Sequence, residues 1–213
     1  MASLENTVTL QLLEQRLAGS TFPDDPTAVE LPLDLARWPA EWQEAMPDSL
    51  RPAAVLIPVI ERADGLTLLL TLRSHELKHH AGQIAFPGGG LERSDENVVA
   101  AALRETHEEI GIGPESVNVL GCLGVMATVT GYAVTPIVGS IPAEARMDLD
   151  PVEVQEAFEV PLSFLLDERN VWRGEREFLG HRFPGVEYHF EGYRIWGATA
   201  HMITELRKII LKQ

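Results

Sequence analysis

Glu105, Glu108 and Glu109 lie in the run Arg104-Glu105-Thr106-His107-Glu108-Glu109-Ile110. At about 100° of helical turn per residue they share an arc of about 100°, so a helix through this run would bring three carboxylates together. Two carboxylates about 4 Å apart repel by about 4 kcal/mol at an effective dielectric near 20, which favours proton uptake or a bound cation. Ligands that are all oxygen favour magnesium or manganese. A solvated acidic helix face is the plain alternative for any Glu-x-x-Glu-Glu run. The segment ahead of it is what sets this one apart: Phe86-Pro87-Gly88-Gly89-Gly90 leads into a stretch that includes Asp95 and Glu96. Glycines permit close backbone approach and positive φ, and amides near a helix start can face phosphate oxygens, although such a loop alone reads equally well as a turn.

These groups need elements to hold them. The pattern predicts a helix from about Asp95 to Ile110, ended by Gly111 and soon followed by Pro114. On it Val99, Ala102, Leu103, Thr106 and Ile110 recur at three- and four-residue steps as a core-facing stripe, with the glutamates pointing elsewhere. Upstream, Ala53 to Ile60 and Leu66 to Leu72 are β-rich, and Ala63-Asp64-Gly65 supplies the turn of a hairpin. Val117 to Val125, Val134 to Ile141 and parts of Val171 to Ile195 read as further strands. Pro161 to Leu166, Ala198 to Leu211 and a short amphipathic stretch from Val8 to Leu17 read as helices. Residues 1–51 read as an N-terminal helix followed by a leader that Pro23, Pro26, Pro32, Pro39 and Pro47 would keep irregular, with Trp38 and Trp42 as expected anchors. Residues 52–213 form the main domain. Without a regular βαβ alternation, a mixed α+β sandwich is the expected class.

Together the loop and helix spell a longer pattern. Gly90, Glu96, Arg104-Glu105, Glu108-Glu109 and Gly111-Ile112 stand at the spacing of the Nudix box, so the segment resembles that of Nudix hydrolases. Thr106 occupies a position where the box expects a bulky aliphatic residue, a departure that leaves the carboxylates untouched. The resemblance implies a Nudix α/β/α sandwich with a mixed sheet and metal-dependent hydrolysis of a diphosphate. By the same resemblance Glu105, Glu108 and Glu109 would hold Mg2+ or Mn2+. Glu105 and Glu108 would serve in catalysis, with the water-activating base falling to Glu108 or to an acid outside the box; there Glu153, which follows the loop-like Asp150-Pro151, is the candidate, and it reads equally well as a surface acid. Arg104 would support the site by orienting a carboxylate such as Glu96.

Immediately upstream, Leu69-Leu70-Thr71-Leu72-Arg73-Ser74, then Lys78, Gly82 and Phe86-Pro87-Gly88-Gly89, resembles the motif of coenzyme A diphosphatases. Lys78 stands where that motif usually carries arginine, which keeps the charge and loses the bidentate fork. The likeness continues through Val129-Thr130-Gly131-Tyr132, Glu153-Val154, Val160-Pro161-Leu162 and Ile195-Trp196-Gly197-Ala198-Thr199-Ala200. It implies cleavage of CoA or acyl-CoA into 3′,5′-ADP and (acyl-)4′-phosphopantetheine, with Arg73, Lys78, Gly82, Phe86, Gly88 and Gly89 meeting the substrate. The alternatives are another nucleoside diphosphate derivative such as ADP-ribose, or a noncatalytic nucleotide-binding protein on the same fold.

Other signals are weaker. His75, His79 and His80 lack the Cys or Glu spacing of a zinc motif and read as a solvated loop, with His80 a candidate substrate contact. Gly111-Ile112-Gly113 does not begin a dinucleotide fingerprint, because Ser116 holds the third glycine position. Cys122 reads as a core thiol. The chain has 213 residues and a formal charge of −15, which disfavours nucleic acid and anionic membranes as partners, so a phosphate-bearing small molecule would need local cations or a metal. One cysteine permits no internal disulfide, and the longest clean apolar run, Ala53 to Ile57, is too short to span a bilayer, so a cytoplasmic protein is expected. A homodimer is open, since the N-terminal helix can pack either on its own domain or on a second copy.

Overall fold

The computed structural model describes residues 8–29, 49–128, 130–178 and 181–212. The expected anchors Trp38 and Trp42, and Val129 of the downstream motif, lie outside them. In chain order the elements are α1 (Leu10–Leu17), β1 (Arg51–Arg62), β2 (Gly65–Arg73), β3 (Ile84–Ala85), β4 (Gly88–Gly90), α2 (Val98–Ile110), β5 (Asn118–Cys122) and β6 (Met126–Ala127). They continue with β7 (Tyr132–Ile141), β8 (Val154–Pro161), α3 (Leu162–Leu166), β9 (Val171–Phe178), β10 (His181–Phe190), β11 (Tyr193–Trp196) and α4 (Gly197–Leu211).

The main sheet runs β3-β2-β1-β7-β5, with β4 also on β1, β6 on β7 and β8 on β2. β1 and β7 pair in parallel from Arg51↔Tyr132 to Ile60↔Ile141, while the other pairs are antiparallel, so the sheet is mixed. Side chains alternate across a strand. On β1, Ala54, Leu56 and Ile60 face α2, in clusters with Ala101, Ala102 and Ile110. Ala53, Ile57 and Val59 face the opposite layer, where Ala200, Ile203 and Leu206 of α4, Leu13 and Leu17 of α1, and Leu162 and Leu165 of α3 pack with them. A small sheet, β11-β10-β9, joins that layer through Tyr188 and Ile195. The result is the expected α/β/α sandwich. The N-terminal helix packs on this same chain.

Three local outcomes differ from the sequence reading. Helix α2 starts at Val98 rather than near Asp95, because the Asn97 side chain accepts the N–H groups of Val99 and Ala100 at 2.9 and 3.0 Å and caps it there. Ala101 and Val98 are buried along with Ala102, Thr106 and Ile110, whereas Val99 and Leu103 are half-exposed. β8 was not expected: Val-Gln-Glu-Ala-Phe-Glu-Val-Pro has weak alternation, and the strand exists because β2 offers it a full antiparallel ladder. Among the described residues no helix is long and apolar enough to cross a membrane.

Candidate active site

The acidic site forms where α2 lies over the Gly88–Gly90 strand and the C-terminal end of β2. β1 holds β4 through Ala53↔Gly90, Ala54↔Gly89 and Val55↔Gly88. Gly88 has φ of 153°, and a Cβ there would strike the backbone of Ala54 and Val55, so this position requires glycine. At Gly89 a Cβ would overlap the Glu105 carboxylate, so the absent side chain is what lets that acid sit against the loop backbone.

The three box glutamates occupy distinct environments. Glu108 is 57% exposed and Glu105 is only 17% exposed, while Glu109 is 2% exposed. The burial of Glu109 corrects the expectation that all three point away from the core. Burial raises the Glu105 carboxyl above its usual range, Arg104 pulls it back, and Glu108 and Glu153 raise it further. For Glu109 burial is again the main cause; Arg73 and the Gly88 N–H oppose it, Glu153 and Glu105 reinforce it, and its pKa is pushed up to about 7. Its Oε1 receives Arg73 Nη1 at 3.1 Å, and its Oε2 is buried without a hydrogen-bond partner.

Arg104 is the hub of the exposed side. Its Nε and Nη2 donate to Asp95 at 3.0 Å each, Nη2 also donates to the Gly90 carbonyl at 3.1 Å, and Nη1 donates to both Glu105 and Glu108 at 2.9 Å. The expected partner Glu96 is instead exposed, because the helix begins after Asn97 and the preceding turn folds Asp95 back onto the guanidinium. Periodicity has no way to find Asp95, which precedes the helical register. Paired this way, Asp95 is held below the usual carboxylate range.

Glu153 arrives from a loop fastened to the end of α2. The Asp148 and Asp150 N–H groups donate to the Ile110 and Glu109 carbonyls at 3.0 Å each, and the Ser74 N–H donates to the Glu153 carbonyl at 2.8 Å. Its charge acts on both Glu105 and Glu109, so sequence-distant acids share one electrostatic site.

The upstream motif residues divide. Arg73 meets Glu109 directly, and its own backbone closes the following loop, with N–H to the Gln83 carbonyl at 2.9 Å and carbonyl accepting from Gly82 at 3.1 Å. Gly82 has φ of 67°, and a Cβ there would overlap the His75 ring. Lys78 is exposed on this loop, as is His80, whose Nδ1 lies 2.9 Å from Gln83 Oε1. Phe86 is buried in the core, so its ring serves packing and is not open to a ligand as the motif suggested. Thr106 donates to the Ala102 carbonyl at 2.7 Å, and the Cys122 thiol is buried, which pushes its pKa up. A cavity of about 880 Å3 lies across α2 from the acids, lined by Leu17, Phe22, Leu103 and Val119. Ser20, Asp24 and Asn97 also line it, and none of the acids of the site does.

Among the described residues no three Asp, Glu, His or Cys side chains are already drawn around a single point. The arginines explain this, since Arg73 holds one oxygen of Glu109 and Arg104 one each of Glu105 and Glu108. The donor set nonetheless suits a hard divalent cation: it is all oxygen, its members raise one another's pKa, and one buried oxygen has no partner.

Residues 50–180 match the NUDIX domain family. The chain is 45% identical over 167 residues to a Citrobacter koseri protein called "Uncharacterized Nudix hydrolase NudL", covering 73% of this chain and 81% of that one. It is 41% identical over 189 residues to the protein of the same name in Pectobacterium atrosepticum, covering 85% and 95%. Superposition on a C. elegans Ap4A hydrolase binary complex gives a TM-score of 0.46 at 22% identity over 52% of this chain and 80% of that one, a likeness too slight to bear on substrate. The chain belongs to the Nudix family and is a hydrolase acting on phosphoanhydrides.

Proposed function

We propose that this enzyme hydrolyses the diphosphate linkage of coenzyme A or acyl-CoA, giving 3′,5′-ADP and (acyl-)4′-phosphopantetheine, with residues 52–213 as the catalytic unit. The observation that carries this reading is the junction of two motifs: Arg73, Gly88 and Gly89 of the upstream motif contact Glu109 and Glu105 of the box. The segment that would discriminate the substrate is thus built against the segment that would hold the cation.

Glu105 and Glu109 are the assigned ligands of Mg2+ or Mn2+, with Glu108 at the exposed rim. When bound, the cation neutralises phosphate charge and makes the phosphorus open to attack by water. The chain's own groups do the rest. Arg104, anchored by Asp95, fixes Glu105 and Glu108 directly. Glu153 is the assigned base that takes a proton from the attacking water, supported by its Coulombic contact with both ligands and by its delivery from outside α2. Lys78 and the Gly82 loop offer a cation and backbone to the phosphates. Water adds its hydroxyl to one phosphorus, the bridging P–O bond breaks, and the leaving phosphate keeps the bridging oxygen.

Incubating the protein with CoA and Mg2+ and identifying products by mass spectrometry tests the reading. Both named products are expected. Cleavage of ADP-ribose or a dinucleoside polyphosphate with CoA left intact would move the enzyme to another Nudix specificity, and no turnover on any of them would favour a noncatalytic binding protein.

A further inference from the structure

Arg73 has two attachments that the substrate-binding role does not require. Its backbone closes the loop carrying Lys78 and Gly82, with the Gln83 carbonyl and the Gly82 N–H as partners. Its side chain leaves β2 at a register irregularity between Leu72 and Arg73 and reaches Glu109, a carboxylate 2% exposed, at 3.1 Å. The other charged groups acting on Glu109 are the acids Glu105 and Glu153, so Arg73 is the cation that offsets their repulsion. Arg73 itself remains 21% exposed, which leaves its guanidinium a route toward solvent and ligand.

We infer that Arg73 is a displaceable counter-ion of the acidic site: it neutralises Glu109 while the site lacks a divalent cation, and it turns to the substrate's diphosphate once the cation takes over that carboxylate. The inference rests on the assignment of Glu109 as a metal ligand. A divalent ion and a guanidinium compete for the same carboxylate, because each supplies the positive charge it lacks. Exchange couples the two halves of the site. The cation frees the arginine, and the freed arginine then supplies a planar fork matched to phosphate oxygens. Arg73 therefore first stands in for the cation's charge at Glu109 and then binds the phosphate.

Mg2+ binding by isothermal titration calorimetry at pH 8.5, without nucleotide, on the full chain and its Arg73→Gln and Arg73→Lys variants is the test. Removing a unit charge beside a divalent ion tightens binding by about tenfold, so Arg73→Gln should gain about that factor and Arg73→Lys a smaller one. With Mg2+ saturating, Arg73→Gln should bind ADP about tenfold more weakly, whereas without Mg2+ the variant and the parent should bind ADP alike. A merely structural arginine would leave Mg2+ affinity equal or weaker in Arg73→Gln, and that result overturns the inference while the metal site stands. An equal loss of ADP affinity with and without Mg2+ also overturns it, since Arg73 would then reach phosphate regardless of the cation. Failure of all three proteins to bind Mg2+ overturns the metal site itself. Should Arg73→Gln not fold, Arg73→Lys decides by the same directions.

Discussion

Glu109 and Glu187 are equally buried, at 2% exposure each, yet their surroundings are opposite. Glu187, in the small sheet, receives Arg194 Nε at 3.2 and 3.1 Å and Nη2 at 2.7 Å, and His189 Nε2 lies 3.1 Å from its Oε2. Both of its oxygens are matched. Glu109 has Arg73 on Oε1 and the Gly88 N–H beside its carboxyl, no hydrogen-bond partner on Oε2, and two further acids nearby. A fully matched buried carboxylate fixes a structure; an under-matched one among like charges stores demand for a cation. The difference separates a structural ion pair from the candidate site.

The widest gap between them should appear in turnover. Glu109→Gln is expected to lower Mg2+-dependent turnover by about a thousandfold or more while the protein stays folded. Glu187→Gln should leave turnover per folded molecule unchanged, and a comparable loss there would erase the distinction. Gly89→Ala sharpens the same point, because its methyl overlaps the Glu105 carboxylate; a fall in turnover of about a hundredfold with an unchanged circular dichroism spectrum is expected. Near-normal turnover would show that Glu105 can be displaced without harm.

Stability should respond in the reverse order. Glu187→Gln leaves Arg194 short of its carboxylate and should cost about 1–3 kcal/mol in urea denaturation, and no loss would remove Glu187 as a structural pair. For Glu109 the folded pKa is pushed up to about 7 from the usual 4.5, so the folded state holds the extra proton between those values. Stability of the metal-free protein should therefore fall as pH rises from about 4.5 to about 7, by on the order of 3 kcal/mol. Glu109→Gln should flatten that slope, which urea midpoints across the range would reveal, and an unaltered slope would assign the titration elsewhere. The smallest effect belongs to Thr106→Val, within about 1 kcal/mol, since the hydroxyl only returns a bond to the carbonyl one turn back. A larger loss would mean that the Nudix-box departure at this position had become structural.

Much of this was legible in the chain. The hairpin and the acidic helix with its Gly111 end follow from local pattern. Three features were not. Asp95 displaced Glu96 as partner of Arg104 because a cap residue, Asn97, fixed where the helix begins. β8 required the free edge of β2 to become a strand. Phe86 turned inward because the loop that carries it is itself paired to the sheet on both sides of Pro87.

The sequence by itself determined which groups could do chemistry, since spacing along one helix fixes which acids share a face and glycine content fixes where backbone can approach them. Only the tertiary structure decided that Glu109 is enclosed while Glu108 is open, that Glu153 joins them from a distant loop, and that Arg73 pairs with an acid. Those outcomes depend on dielectric surroundings and on contacts between residues far apart in the chain, which no local pattern encodes.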